Sequence, residues 1–140
     1  MVREILFRGK SISENFENRP IGAWCQGSAT IYEDGDCLIH FDDKPHGYWS
    51  IDVDPKTLGQ FTGLNDRNNV KIFEGDIVKD LQGKRGYITF LQQEMGYVVV
   101  WDKFDTRLGH RSTGSWYGQD PSIEIIGNIY ENPELIEVKE

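Results

Sequence analysis

The sequence predicts a mainly β protein, and two observations support this fold class. Aromatic residues make up 12% of the 140-residue chain and occur with β-branched residues in short runs, as is typical of strands. The 15 glycines suit tight turns, whereas long helices would need periodic runs richer in Ala, Leu and Glu. A chain of this length buries about two-thirds of its unfolded surface and can therefore form a core without disulfide staples.

The N-terminal half contains one predicted hairpin. Alternating charged and apolar residues over 3–8 predict a short strand near a sheet edge, and the polar residues 9–20 predict a loop. Residues 23–32 and 37–41 predict two paired strands. Their connection contains Asp34-Gly35, a strong signal for a two-residue hairpin turn.

That turn also determines what is expected of the two cysteines. A two-residue turn at Asp34-Gly35 places Cys25 opposite Lys44 and Cys37 opposite Tyr32. On this register we expect no disulfide between Cys25 and Cys37. Both thiols are expected to pack as small apolar groups and to have no redox or metal role.

Turn chemistry becomes denser in the second half of the chain. Gly63 and Asn69 suit positions with positive φ, and strand residues resume on either side of Glu74-Gly75. Residues 86–91 and 96–101 are rich in β-branched and aromatic side chains and are separated by a short polar connection. They predict a second hairpin.

The C-terminal region begins with a long interval, residues 102–122, that shows no clean periodicity. Loops of this length are often functional or disordered. Residues 123–129 predict a last strand with a bulge at Gly127, because the apolar pattern changes phase there. Asn132-Pro133-Glu134-Leu135 predicts a short helical turn, with Asn132 as its N-cap and proline at its first position.

Four segments of the chain carry recognisable motifs. Residues 53–64 read V-D-P-K-T-L-G-Q-F-T-G-L, and residues 66–78 read D-R-N-N-V-K-I-F-E-G-D-I-V. Residues 124–135 read E-I-I-G-N-I-Y-E-N-P-E-L, and residues 3–10 read R-E-I-L-F-R-G-K. In this order and spacing the motifs resemble the YopX-like family of bacteriophage and prophage proteins over the whole chain.

The resemblance implies an N-terminal all-β subdomain with a hairpin over residues 1–60 and a C-terminal SH3-like β-barrel over residues 61–140. The two parts can also be taken as a single YopX-like domain over residues 1–138. The resemblance implies no established activity. Asn69 stands where the family usually has glycine, and asparagine tolerates the left-handed conformation that the turn needs. The motif positions expected to have structural roles are Thr62, Gly63, Glu74, Gly75, Asp76, Gly127, Asn128, Asn132 and Pro133.

The charge of the chain limits the partners that are expected. The net charge is −8 and the sequence pI is near 4.9, which argues against non-specific binding to nucleic acid or to an anionic membrane. Residues 63–122 carry 8 basic and 8 acidic side chains, so a local basic patch is still compatible with the sequence. No transmembrane-length apolar run and no secretory leader is recognisable, so we expect a cytoplasmic protein. The resemblance implies that this cytoplasm is that of a bacterial host.

The carboxylates do not form a recognisable catalytic or metal-binding pattern. Glu74-Gly75-Asp76 resembles a carboxylate pair, but an aspartate after a glycine corner typically bonds to turn N–H groups, so we interpret Asp76 as structural. Calcium loops need alternating ligands, a glycine and a closing glutamate. The acids of the first half lack that spacing and are interpreted as a solvated face: Asp34, Asp36, Asp42, Asp43, Asp52 and Asp54.

The histidines and hydroxyls likewise predict no enzyme. His40 and His46 flank two aspartates, yet no third ligand follows at a convincing spacing for a metal site. His110 lies near Ser112, but a catalytic triad is defined by geometry that sequence proximity does not supply. We therefore expect no catalytic residues, no cofactor and no metal.

The strongest candidate for a binding surface is the long interval before the last strand. It contains residue types enriched at interaction hot spots, which suggests a protein partner: Arg107, His110, Arg111, Trp116 and Tyr117. The same residues, extended by a basic strip of Lys79, Lys84 and Arg85, could instead stack on bases and contact phosphates. A third interpretation is that Trp116 and Tyr117 are core residues. Self-association through exposed sheet edges is a further expectation.

Overall fold

The computed structural model describes residues 3–13, 20–43, 47–109 and 118–136, with Asp43 described by its backbone alone. These residues form eleven β-strands, arranged in antiparallel sheets, and three short 3₁₀ turns, with no α-helix in the described ranges. The predicted mainly β class is confirmed. No helix of the described chain is long and apolar enough to cross a membrane. The chain divides into two compact units, Met1–Phe61 and Thr62–Glu140.

The first unit contains a sheet in which the strand order is β4-β3-β2-β1-β5. Its strands are β1 (Phe7–Lys10), β2 (Trp24–Ile31), β3 (Cys37–Asp43), β4 (Gly47–Val53) and the first residues of β5 (Gly59–Asn65). Strand β1 pairs with both β2 and β5, so the predicted edge position was wrong. The charged residues of this segment predicted an edge. Arg8 and Lys10 alternate with the buried Gly9, so they need only one face of the strand to be open to solvent, and an interior strand of the sheet provides that.

The hairpin between β2 and β3 has a different register from the predicted one. Ile31 pairs with Cys37, and the amide of Tyr32 donates to the carbonyl of Asp36 at 2.9 Å. Three residues, 33–35, therefore form the connection, and Gly35 has a φ of +95°. A glycine in the left-handed region closes a three-residue loop as readily as it forms a two-residue turn. The two-residue turn and the pairing of Cys37 with Tyr32 were wrong by one residue.

The core of the first unit contains both cysteines. Cys25 and Cys37 are buried free thiols that pack with Ile39, Ile51 and Val53. The predictions that no disulfide joins the two cysteines and that both thiols pack as apolar groups are confirmed. The hairpin register from which the first of these was inferred was wrong. Burial, followed by the charges of Asp36 and Asp34, raises the pKa of the Cys37 thiol above its ordinary value.

The second unit is built around a five-stranded sheet with the order β10-β9-β8-β7-β11. The rest of β5 pairs with β6. The strands that follow β5 are β6 (Lys71–Phe73), β7 (Asp76–Lys79), β8 (Arg85–Leu91), β9 (Gly96–Val100), β10 (Asp105–Arg107) and β11 (Glu124–Asn128). Within the described residues β10 and β11 lie at the two edges, and the sheet does not close into a barrel. The SH3-like closure that the resemblance implies is therefore not seen in these strands.

The predicted hairpin in this unit is confirmed. Strands β8 and β9 pair from Tyr87 with Val100 to Leu91 with Gly96, and a 3₁₀ turn over Gln92–Glu94 connects them. One face of this hairpin enters the core. The buried core residues are Ile72, Val78, Ile88, Val99, Trp101 and Ile123.

The last strand also follows the prediction closely. Its register against β7 shifts between Ile125 and Gly127, so the bulge is confirmed. A 3₁₀ turn over Pro133–Leu135 confirms the predicted terminal turn. Asn132 does not cap it through its side chain; its Oδ1 instead accepts the amide N–H of Asn128 at 3.2 Å. A Cβ atom on Gly127 would lie 2.6 Å from that same oxygen, and this explains why glycine fits the position.

Candidate functional site

The predicted binding residues are only partly within the described structure. Arg107 ends β10 and is exposed, whereas His110, Arg111, Trp116 and Tyr117 lie outside the described residues. The guanidinium of Arg107 donates to the carbonyl of Glu94 at 3.0 Å and lies 3.5 Å from the Glu94 carboxylate. Arg107 is therefore anchored to the β8–β9 connection.

A groove of about 210 Å³ lies beside Arg107. It is lined by Thr62, Leu64, Met95, Gly96, Tyr97, Arg107 and Leu108, and we call it the Arg107 groove. Leu64, Tyr97 and Leu108 pack against the core of the second unit, so the floor of the groove is continuous with that core. The Thr62 hydroxyl donates to the carbonyl of Ile72 at 2.8 Å and holds β5 at the groove.

Met95 forms the most unusual part of this groove. Its φ is +51°, in the left-handed region where glycine or asparagine is favoured, and its side chain is 84% exposed. The left-handed conformation costs a side-chain-bearing residue about 1–2 kcal/mol. Strained backbone that displays a side chain in this way is concentrated at functional sites.

The ring of Tyr97 is held in place by its neighbour on β8. Phe90 and Tyr97 are cross-strand partners, and their rings meet edge to face with centroids 5.4 Å apart. Phe90 is itself exposed. Such a ring pair contributes about 0.5–1.5 kcal/mol beyond area burial, and it fixes the apolar side of the groove.

The predicted basic strip is divided in the structure. Lys79 and Arg85 are cross-strand partners on β7 and β8, so their side chains share one face. Lys84 does not join them, because its Nζ lies 4.8 Å from the ring centroid of Phe104. Lys84 therefore belongs to a different surface.

A carboxylate lies next to the Lys79–Arg85 pair. Glu124 is the partner of Lys79 on β11, with 3.5 Å between Nζ and Oε2, and it accepts a 2.8 Å hydrogen bond from Arg67. The hydrogen bond from Arg67, aided by Asn68 and by the charge of Lys79, lowers the pKa of Glu124 below the ordinary glutamate value. Sequence analysis missed Arg67, since no local pattern signals a contact across 57 residues.

The motif carboxylates have structural partners. Asp76 is buried, and its Oδ2 accepts the amide N–H of Phe73 at 2.7 Å, in agreement with its interpretation as a structural residue. Glu74 and Gly75 form the turn before it, and a Cβ on Gly75 would lie 2.9 Å from the ring of Tyr130. Asn128 Oδ1 accepts the amides of Tyr130 and of residue 131.

Asp66 has a role that sequence analysis did not identify. Its side chain is 1% exposed and accepts three backbone N–H groups: those of Asn68 and Val70 on Oδ1 and that of Ile125 on Oδ2. The turn it closes contains Asn69 at a φ of +64°, as the sequence predicted. This buried carboxylate therefore ties the turn before β6 to strand β11.

His40 is hydrogen-bonded to hydroxyls. Its Nε2 lies 2.8 Å from the Thr30 hydroxyl and its Nδ1 lies 2.7 Å from the Ser50 hydroxyl, across three neighbouring strands. The sequence analysis considered His40 and His46 together as possible metal ligands, and His46 lies outside the described residues. In the described ranges no group of three or more His, Cys, Asp or Glu side chains is placed to hold a metal ion.

The described residues are all-β outside the 3₁₀ turns and loops, and the second unit has a groove at one end of the β8–β9 hairpin that combines apolar side chains with Arg107. The chain belongs to the YopX protein family, whose model matches residues 16–137. The family resemblance of the motifs is thereby confirmed. No curated protein matches the chain.

Proposed function

We propose that this YopX-family chain is a non-enzymatic interaction module that binds a protein partner through the Arg107 groove. The observation that carries the proposal is Met95, a strained residue that presents an apolar side chain to solvent at the rim of the groove. Burying a methionine side chain under a partner returns about 1.5–3 kcal/mol, which is enough to offset the strain.

The residue types around Met95 support a protein ligand. Tyrosine and arginine are enriched among residues that dominate binding energy, and the groove combines Tyr97 with Arg107. Methionine adapts its shape to varied apolar partners. Leu64 and Leu108 add an apolar floor that is continuous with the core. Together they suit an apolar side chain of a partner, with Arg107 at the rim.

The proposal also covers the barrel fold of the C-terminal unit, the origin of the protein and its place of action. We propose an SH3-like barrel for the C-terminal unit, a bacteriophage or prophage origin and action in the bacterial host cytoplasm, as the motif resemblance implies. The five antiparallel strands of the second unit and its β5–β6 pair support the barrel. Self-association into a homo-oligomer is proposed on the grounds that β4 and β10 are sheet edges in the described chain.

A nucleic-acid function is the second candidate, and one observation favours it. Lys79 and Arg85 share one face of the sheet, and Lys79 and Arg67 both contact the carboxylate of Glu124. The net charge of −8 opposes binding of the whole molecule to a polyanion. We therefore place this candidate second.

Affinity capture from prophage-bearing cells, with and without nuclease, tests both candidates. Wild-type protein is compared with Met95→Gly, which keeps the left-handed backbone and removes the side chain. Ile31→Ser is the matched control, because it removes an exposed apolar side chain in the first unit.

We expect wild type and Ile31→Ser to retain the same nuclease-resistant protein and Met95→Gly to lose it. Recovery that depends on nucleic acid would favour the second candidate. A partner retained equally by Met95→Gly would show that the Arg107 groove is not its binding site.

A further inference from the structure

The second unit has another groove, of about 310 Å³, at the other end of strand β9. It is lined by Asp80, Leu81, Gln82, Lys84, Trp101, Phe104, Thr106, Ser122 and Ile123, and we call it the Phe104 groove. We propose that the Phe104 groove binds a peptide segment of a partner protein that carries an apolar side chain beside a carboxylate.

The floor of the groove is rigid. Trp101 and Ile123 are buried members of the core, and the indole N–H of Trp101 donates to the Thr106 hydroxyl at 2.8 Å. The amide of Trp101 also donates to the carbonyl of Phe104 at 2.8 Å. The indole and the turn that carries Phe104 are therefore fixed before any ligand arrives, which lowers the entropic cost of binding.

The turn that contributes Asp80, Leu81, Gln82 and Lys84 to the groove is also preorganised. The Asp80 carboxylate accepts the amides of Gln82 and Lys84 at 3.0 and 2.8 Å, and two backbone bonds close the same turn. This turn presents Leu81 with 68% of its surface exposed. Leu81 lines the same groove as the exposed Phe104, so the two side chains belong to one apolar surface and are not isolated exposed residues.

Two exposed apolar walls define what the groove recognises. Leu81 and Phe104, the latter 51% exposed, flank a buried apolar floor. The volume lies at the lower limit for ligand pockets and fits one large side chain with its adjoining backbone. An apolar residue of a peptide can therefore contact both walls at once.

Charge complementarity identifies the flanking residue of the ligand. The Nζ of Lys84 lies over the Phe104 ring at the groove, and the ion pairs of the described residues do not include Lys84. The other charged lining residue, Asp80, has one carboxylate oxygen engaged by two N–H groups. Among the lining residues Lys84 therefore supplies the positive charge available to a ligand. A peptide carboxylate close to the apolar side chain that fills the groove would pair with it.

The Phe104 groove is separate from the Arg107 groove. Tyr97 lines the Arg107 groove and Trp101 lines the Phe104 groove; four residues along a strand correspond to about 13 Å. The lining residues of the two grooves do not overlap. The inference therefore does not depend on the proposed function of the Arg107 groove, and each can fail alone.

Selection of a random dodecapeptide display library on the full-length protein tests the inference. Wild type is expected to enrich peptides with a large apolar residue within a few positions of Asp or Glu. Lys84→Glu is expected to enrich Lys or Arg in place of the acids. For one enriched peptide, Lys84→Gln should weaken binding about two- to fivefold, as for exposed ion pairs. Phe104→Ser should weaken it at least about tenfold through lost apolar burial.

The controls separate the two grooves. Met95→Gly should leave these peptides bound, and thermal unfolding checks that each variant folds. The inference is overturned if the wild-type protein enriches no peptide sequence from the library. It is also overturned if wild type and Lys84→Glu enrich the same peptides. Peptides that depend on Met95 and not on Phe104 also overturn it, while they support the proposed function of the Arg107 groove.

Discussion

Replacement of Asp66 by asparagine is the sharpest test of how the second unit is held together. The carboxylate accepts the amides of Asn68 and Val70 on one oxygen and that of Ile125 on the other, at 2.9 Å in each case. In Asp66→Asn the amide oxygen can keep the first pair of bonds. Its NH₂ group then faces the N–H of Ile125, so two donors oppose each other.

The expected cost follows from these contacts. A hydrogen bond to a charged group contributes about 1.5–3 kcal/mol, and a buried donor left unsatisfied costs about 1–3 kcal/mol. Because the two terms overlap, we expect Asp66→Asn to lower the free energy of unfolding by about 3 kcal/mol. Asp66→Ala, which leaves three N–H groups without their acceptor, is expected to cost about 3–5 kcal/mol.

Urea unfolding followed by circular dichroism measures the global effect, and amide hydrogen exchange measures the local one. A loss of 3 kcal/mol corresponds to about 100-fold faster exchange of the Ile125 amide if that amide opens with the unit. Asp34→Asn is the matched control, because Asp34 is exposed and accepts one turn amide that asparagine can also bond. We expect the control to change stability by less than about 0.5 kcal/mol. A cost of less than about 1 kcal/mol for Asp66→Asn would refute the assigned role.

Three further predictions concern single side chains. Met95→Gly should raise the free energy of unfolding by about 1 kcal/mol in a urea titration, because glycine adopts the left-handed conformation without strain, and a lower stability would contradict this. Glu124 has a lowered pKa through its hydrogen bond with Arg67, so its contribution is present above the ordinary carboxyl pKa and lost as pH falls through the folded value. Acid unfolding of Glu124→Gln should lack this component, and identical acid profiles would count against it. Cys37 has a raised pKa through burial, so its contribution is present below the ordinary thiol pKa and lost as pH rises through the folded value. Cys37→Ala should flatten that alkaline decline, and native Cys37 should react slowly with iodoacetamide; rapid alkylation at neutral pH would be inconsistent with its burial.

Features that depend on local turn chemistry were predictable from the sequence. The β8–β9 hairpin, the left-handed Asn69 and the bulge before Gly127 each depend on residues that are close in sequence. The register at Asp34-Gly35 was wrong because a glycine with positive φ is compatible with two loop lengths, and only the pairing partners distinguish them.

The sites were harder to predict than the strands. The bond from the amide of Ile125 to the Asp66 carboxylate spans 59 positions and has no sequence signature. The Arg107 groove likewise combines Leu64, Tyr97 and Leu108, which meet because strands from distant parts of the chain pack around one core. Arg107 was named as a partner-binding candidate from its residue type, but its contact with Glu94 depends on strand pairing that the sequence does not show.

The side-chain bonds to β11 affect how this chain can aggregate. A sheet edge with bare amides serves as a template for further strands, including those of other molecules. On β11 the amides of Ile125 and Asn128 are occupied by the side chains of Asp66 and Asn132. We expect these two side chains to hinder the addition of a further strand at the β11 edge. Loss of Asp66 would therefore remove a safeguard against amyloid-like stacking as well as a source of stability.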